Sequence, residues 1–153
     1  MTIDTNTGLF TVAVFQDVAW AAKALEALKQ AGFSHDGTTI LAKATDDAAA
    51  LIEKTFGRPG DRLELAVVGA AVAHGPLVAA LQGPLGDLAT IGLAGAMRRV
   101  GFQAHDGRIF ETLTARGGIL VAVHSEPRAA DAIALFHSYG GGNAAIGAWS
   151  GRV

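Results

Sequence analysis

The sequence predicts an α+β domain: a split βαβ sheet of about four strands with helices packed on one face. Three observations predict it. Strand-like and helix-like stretches alternate along the chain. One strand–helix unit is written twice. Thr11-Val12-Ala13-Val14 leads through Asp17 into an amphipathic helix ending at Gly32, and Leu120-Val121-Ala122-Val123 leads through Glu126 into another ending at Gly140. With one residue dropped in the turn, Ala21-Ala22, Ala24-Leu25 and Leu28 align with Ala129-Ala130, Ala132-Ile133 and Phe136. Third, the 153 residues are half hydrophobic and only 17% charged, enough apolar material for one domain with a real core.

Each element has a local reason. Leu9 to Phe15 is rich in β-branched and aromatic residues and reads as a strand. Asp17 caps the following helix by accepting from free backbone N–H groups. Val18, Ala21, Ala22, Leu25 and Leu28 form its apolar stripe, and Gly32 suits its left-handed stop. Thr38 to Ala42 is a second strand. Thr45 or Asp46 caps a short helix through Phe56, stopped by Gly57, and 58–61 is a turn. Leu63 to His74 is a continuous apolar run that fits a buried strand or a buried helix. Strand is preferred because Gly75-Pro76 ends it and Pro76 suits a helix start. Leu77 to Gly101 is helical, interrupted near Gly83-Pro84. A helix over 106–116 turns inward through Ile109, Phe110 and Leu113. Ile119 to His124 is the fourth strand, and Pro127 starts the last helix, whose inward stripe is Ala129, Ala132, Ile133 and Phe136.

The domain organisation expected is a flexible tail over 1–7, a single domain over 8–140, and a glycine-rich tail over 141–153. That last tail either moves or docks on a neighbour through Ile146 and Trp149. Helices on one face leave the other face of the sheet bare, so a homodimer or larger assembly is expected. The formal charge of −2 comes with no basic stripe, which argues against nucleic acid as a main partner. The absence of cysteine removes disulfides, thiolate metal sites and thiol catalysis, and fits a reducing cytoplasm. The first residues lack the basic and apolar regions of a signal peptide. Leu65 to Gly86 carries no charge and is long enough to span a bilayer. However, Pro76 and Pro84 would break it, so a buried strand and a short buried helix are the better account.

Four stretches carry a family resemblance: Val12-Ala13-Val14-Phe15 with its helix to Gly32-Phe33; Gly69 to Leu77 (GAAVAHGPL); Gly92-Leu93-Ala94-Gly95-Ala96 leading to Val100-Gly101; and Gly117 to His124 with its closing helix. On these the chain resembles small bacterial general-stress proteins with a ferredoxin-like core and a glycine-rich middle. The resemblance implies a stress-associated cytoplasmic protein and supplies no catalytic motif. The chain departs from that pattern in its shorter glycine-rich middle, its glycine-rich tail, and His74, His105 and His124.

Histidine is the reactive type to weigh. His74 ends the third strand and His124 the fourth. In a ferredoxin-like order these strands run parallel with the first strand between them, which places both imidazoles at one end of the sheet, roughly 10 Å apart at the backbone. Two such histidines could converge on a metal or an anion, with Glu126 the carboxylate nearest in sequence. No HxH, HxxxH or HExxH spacing supports a metal, and strand-end histidines commonly bond local backbone. The idea fails if the two side chains point to opposite faces. His137 belongs on the exposed side of its helix, and His35 and His105 sit in turns. Gly140-Gly141-Gly142-Asn143 lacks the lysine and hydroxyl of a phosphate loop and follows a helix where such a loop should precede one. Asp46-Asp47 suit a helix start, and Trp20 and Trp149 suit packing or an interface.

The sequence thus names no catalytic residue and no cofactor. It points first to a non-enzymatic, oligomeric, stress-associated domain acting through protein contacts. Second is a small-ligand or metal binder using His74, His124 and Glu126, and third an enzyme with a pocket between protomers. A large pocket with convergent polar groups favours the second or third, a filled core the first.

Overall fold

The computed structural model describes residues 9–83, 86–124 and 128–148. Six strands and six helices follow in the order β1 (Leu9–Phe15), α1 (Val18–Gln30), β2 (Thr38–Lys43), α2 (Asp46–Phe56), β3 (Asp61–Leu65), β4 (Gly69–His74), α3 (Pro76–Gln82), α4 (Asp87–Arg99), α5 (Ala104–Ala115), β5 (Ile119–His124), α6 (Ala129–Ser138) and β6 (Gly142–Ala148). A single 3-10 turn, His35–Gly37, leads into β2. The α+β class holds.

The sheet order is β3-β4-β2-β5-β1-β6, and every neighbouring pair is antiparallel. Strands two apart therefore run parallel. β1 and β2 are joined by α1 with β5 between them; β2 and β3 by α2 with β4 between; β5 and β6 by α6 with β1 between. The split βαβ connection is thus made three times through a single helix, and a fourth time from β4 to β5 through α3, α4 and α5 with β2 between. The strand between β4 and β5 is β2, whereas the sequence reading put β1 there.

Alternation along the strands sends apolar side chains to both faces. Ala13, Phe15, Ile40, Ala42, Val72, Val121 and Val123 pack against α1, α2 and α6 through Ala24, Leu28, Ile52, Ala132 and Phe136. Phe10, Val12, Val14, Leu41, Ala71, Leu120 and Ala122 pack against α3, α4 and α5 through Leu77, Leu81, Leu93, Met97 and Phe110. The sheet lies between two helical layers, which corrects the expectation of helices on one face. A strand buried on both sides reads as a continuous apolar run, and β5, Ile-Leu-Val-Ala-Val, is one. The bare face from which a dimer was argued is covered by α3, α4 and α5.

Two further differences concern strand number. The run Leu63 to His74 is a hairpin, β3 turning into β4 through 66–68. Beyond Gly140, where the folded part was expected to end, β6 adds a strand beside β1. Residues 1–8 and 149–153, which hold the expected N-terminal tail and Trp149, lie outside the described residues. Among the described residues no single helix is long and apolar enough to cross a membrane.

Candidate functional site

His74 and His124 do end β4 and β5, two strands apart at the same end of the sheet, but the structure does not bring them together. His74 follows the parity of Val72 and lies on the α1/α2 face, its ring 4.5 Å from that of Phe56. His124 follows the parity of Leu120 and Ala122 onto the other face, its ring 4.4 Å from that of Phe10. The register separates them further. His74 stands opposite Ile40, while Val123 stands opposite Thr38, so His124 falls against position 37. The shared two-histidine site is therefore ruled out by strand parity. Glu126 lies outside the described residues. No group of three or more His, Asp or Glu could hold a metal ion among the described residues.

His124 is half-buried. Its Nε2 is buried and finds no hydrogen-bond partner among the described residues, and burial pushes its pKa below the ordinary histidine value. An added Cβ at Gly37 would stand 3.1 Å from the His124 Cβ, so the 3-10 turn before β2 packs closely against this residue.

His74 opens instead onto a cleft of about 740 Å³. Four pieces of chain build it. The first is the 3-10 turn with His35 and Asp36, followed by Thr38 at the start of β2. Ser34 fixes that turn: its Oγ accepts from the Asp36 N–H at 3.0 Å, and its carbonyl accepts from the Thr38 hydroxyl at 3.0 Å. The second piece is the C-terminal turn of α2, with Thr55 and Phe56, and Arg58 just past it; Gly57 ends that helix in the left-handed conformation. The third is the start of β3, with Asp61 and Leu63. The fourth is the end of β4 and α3, with His74, Gly75, Pro76 and Gln82.

Gly75 makes that last piece possible. Its φ is 130°, and a Cβ there would come within 2.5 Å of the Thr39 Cα. The Thr39 hydroxyl in turn accepts from the Leu77 N–H at 3.0 Å, tying the first turn of α3 to β2. The chain can thus reverse directly after His74 and carry Gln82 to the cleft wall.

The cleft carries groups of both signs. Phe56 lies between two imidazoles, its ring centroid 6.4 Å from His35 and 4.5 Å from His74. Arg58, Asp36 and Asp61 are in no ion pair among the described residues. The Gln82 Oε1 is buried without a hydrogen-bond partner among them. Unpaired donors and acceptors around one aromatic ring can hold a small polar molecule. Neither His35, Arg58 nor Gln82 stands out by spacing in the sequence. The single usable signal was the histidine closing an apolar strand before Gly-Pro.

A second, smaller groove of about 380 Å³ adjoins the cleft, sharing His35 and Thr55 with it. It runs between α1 and α2 and is lined by Lys23, Lys29 and Lys54 together with Glu26. Trp20 is 41% exposed beside it, with the Lys23 Nζ 4.6 Å from its ring.

Comparison of the chain with protein-family models, with curated proteins and with solved structures finds no match.

Proposed function

We propose that this protein binds a small polar molecule in the cleft between His35, Phe56, Arg58 and His74. One observation carries the reading: a cleft of about 740 Å³, within the size range of small-molecule sites, in which Arg58, Asp36 and Asp61 are in no ion pair and the Gln82 Oε1 has no hydrogen-bond partner among the described residues. It keeps the strand-end histidine at 74 and replaces the other two expected ligands, His124 and Glu126, by His35 and Arg58. The test is a thermal-shift screen of small polar metabolites on the wild-type chain and on Arg58→Ala and His74→Ala. At least one compound should raise the wild-type melting temperature and do so less in both variants. No stabilising compound, or one whose effect survives both substitutions, would contradict the reading.

Self-association is a second reading, now on a different surface. Of the two sheet edges, β3 presents exposed Asp61, Arg62 and Glu64, the charges that keep an edge from pairing. β6, Gly-Asn-Ala-Ala-Ile-Gly-Ala, has neither charge nor proline. Antiparallel pairing of β6 with a second copy would continue the ladder across a two-fold axis. Sedimentation equilibrium should show a dimer, and a strict monomer at the highest soluble concentration would refute it. The same stress association and ferredoxin-like kinship remain readings that rest on the family resemblance. The repeated split βαβ connection supports the kinship, while the strand order and second helical layer are features of this chain.

A further inference from the structure

We infer that the ligand of the cleft is anionic, and that its phosphate or carboxylate group is held in the adjoining α1/α2 groove by Lys23, Lys29 and Lys54. The inference rests on the cleft being a binding site and specifies what it binds. The chain as a whole has a formal charge of −2, yet this groove gathers three lysines against one carboxylate. That carboxylate, on Glu26, already accepts from the Gln30 side chain at 3.1 Å. None of the three lysines is in an ion pair among the described residues.

Lysines in the last turn of a helix commonly offset its dipole, and Lys29 and Lys54 occupy such positions. For α1 that task is met elsewhere. The Arg128 guanidinium donates to the Ala31 carbonyl at 2.7 Å and lies 4.4 Å from the Phe33 ring. Lys23 sits mid-helix, away from the end of α1. Like charges along one groove repel one another, and an anion relieves that repulsion. The groove meets the cleft at His35 and Thr55, so an anionic group in the groove leaves the body of the same small molecule beside Phe56 and Arg58. The acidic groups of the cleft, Asp36 and Asp61, suit a body that donates hydrogen bonds.

Two probes separate this inference from the reading beneath it. Amide chemical shifts of the full chain are followed during titration with inorganic pyrophosphate and, separately, with adenosine. Pyrophosphate should shift amides around Lys23, Glu26 and Lys54 saturably, and Lys29→Ala/Lys54→Ala should weaken its binding at least tenfold. The double variant must keep the wild-type spectrum elsewhere, which shows that it is folded. Pyrophosphate shifts scattered over the surface, or affinity unchanged in the folded double variant, would overturn the anion site. Adenosine shifts at Phe56, Arg58 and Gly75 in the same experiment would leave the cleft standing without it. Adenosine without effect there, alongside saturable pyrophosphate binding, would support the anion site and count against the cleft as the seat of the ligand body.

Discussion

Gly75 decides where His74 can point. The residue sits at φ 130° against the backbone of Thr38 and Thr39, so any side chain forces β4 and β2 apart. Gly75→Ala should lower the unfolding free energy by about 2–4 kcal/mol, read by urea denaturation, because overpacking and a disfavoured φ add. His124 gives the fold a pH dependence through its burial. Burial lowers its folded pKa below 6.5, so between the two values the unfolded chain binds the proton more readily. Its neutral, buried form therefore favours the fold above about pH 6.5, and that advantage is lost as pH falls. His124→Phe keeps a ring against Phe10 and removes the proton site. The wild-type chain should lose stability relative to this variant as pH drops below about 6.5, and parallel pH profiles would refute it. At this scale His74 was legible as a strand-end histidine. Its pairing with His124 failed because adjacent sequence logic ignored face: parity from Val72 and from Ala122 sends the two rings apart.

The elements were legible where the residues repeat at a regular period, and failed where a turn lacked turn residues. The β3–β4 reversal runs through Ala66-Val67-Val68, with no Asn or Asp and with Gly69 only after the bend. Val67 has φ 71°, and the Val68 N–H donates to the Ala66 carbonyl at 2.8 Å, a tight γ-turn that a β-branched residue rarely adopts. Lys43 supports it from β2, its Nζ donating to the Val68 carbonyl at 2.8 Å. A long-range contact thus holds a turn that no local signal announces. In α4 the break is at Gly92, with φ 82° and ψ 174°. The Glu111 carboxylate from α5 accepts from the Ala94 N–H at 3.2 Å and caps the restarted helix. Glu111→Ala should cost about 1–2 kcal/mol in urea denaturation, as loss of a helix cap does. A change under a few tenths would show that the break needs no cap.

Across the whole molecule, the duplicated strand–helix unit keeps the expected alignment in its helices, while its strands lie one residue out of the expected register. Ala24 and Ala132, and Leu28 and Phe136, lie at an offset of 108 and are all buried in the same layer. In the strands the same offset relates Ala13 to Val121 and Phe15 to Val123, again on that face, and Val12 to Leu120 on the other. The matching letters Thr-Val-Ala-Val and Leu-Val-Ala-Val lie at 109, which would turn every side chain to the wrong face. Ala13 and Val121 pair directly, so a pseudo-two-fold axis passes between them, with α1 and β2 on one side answering α6 and β6 on the other. The repeat was therefore readable, and its true offset was hidden because β1 and β5 are buried on both faces and do not alternate. The second layer follows from the same fact. If both layers belong to one cooperative unit, Phe110→Ala and Phe136→Ala should each cost about 3–5 kcal/mol with a single unfolding transition. Two transitions for either variant would separate the layers.

A fragment screen read by amide chemical shifts directly tests the cleft at this end of β2, β3 and β4. Small polar fragments should cluster their shifts at His35, Thr55, Phe56, His74 and Gly75, and the clustering should weaken in Arg58→Ala. Fragments that bind elsewhere, or shifts spread evenly over the chain, would contradict a binding site at this end of the sheet.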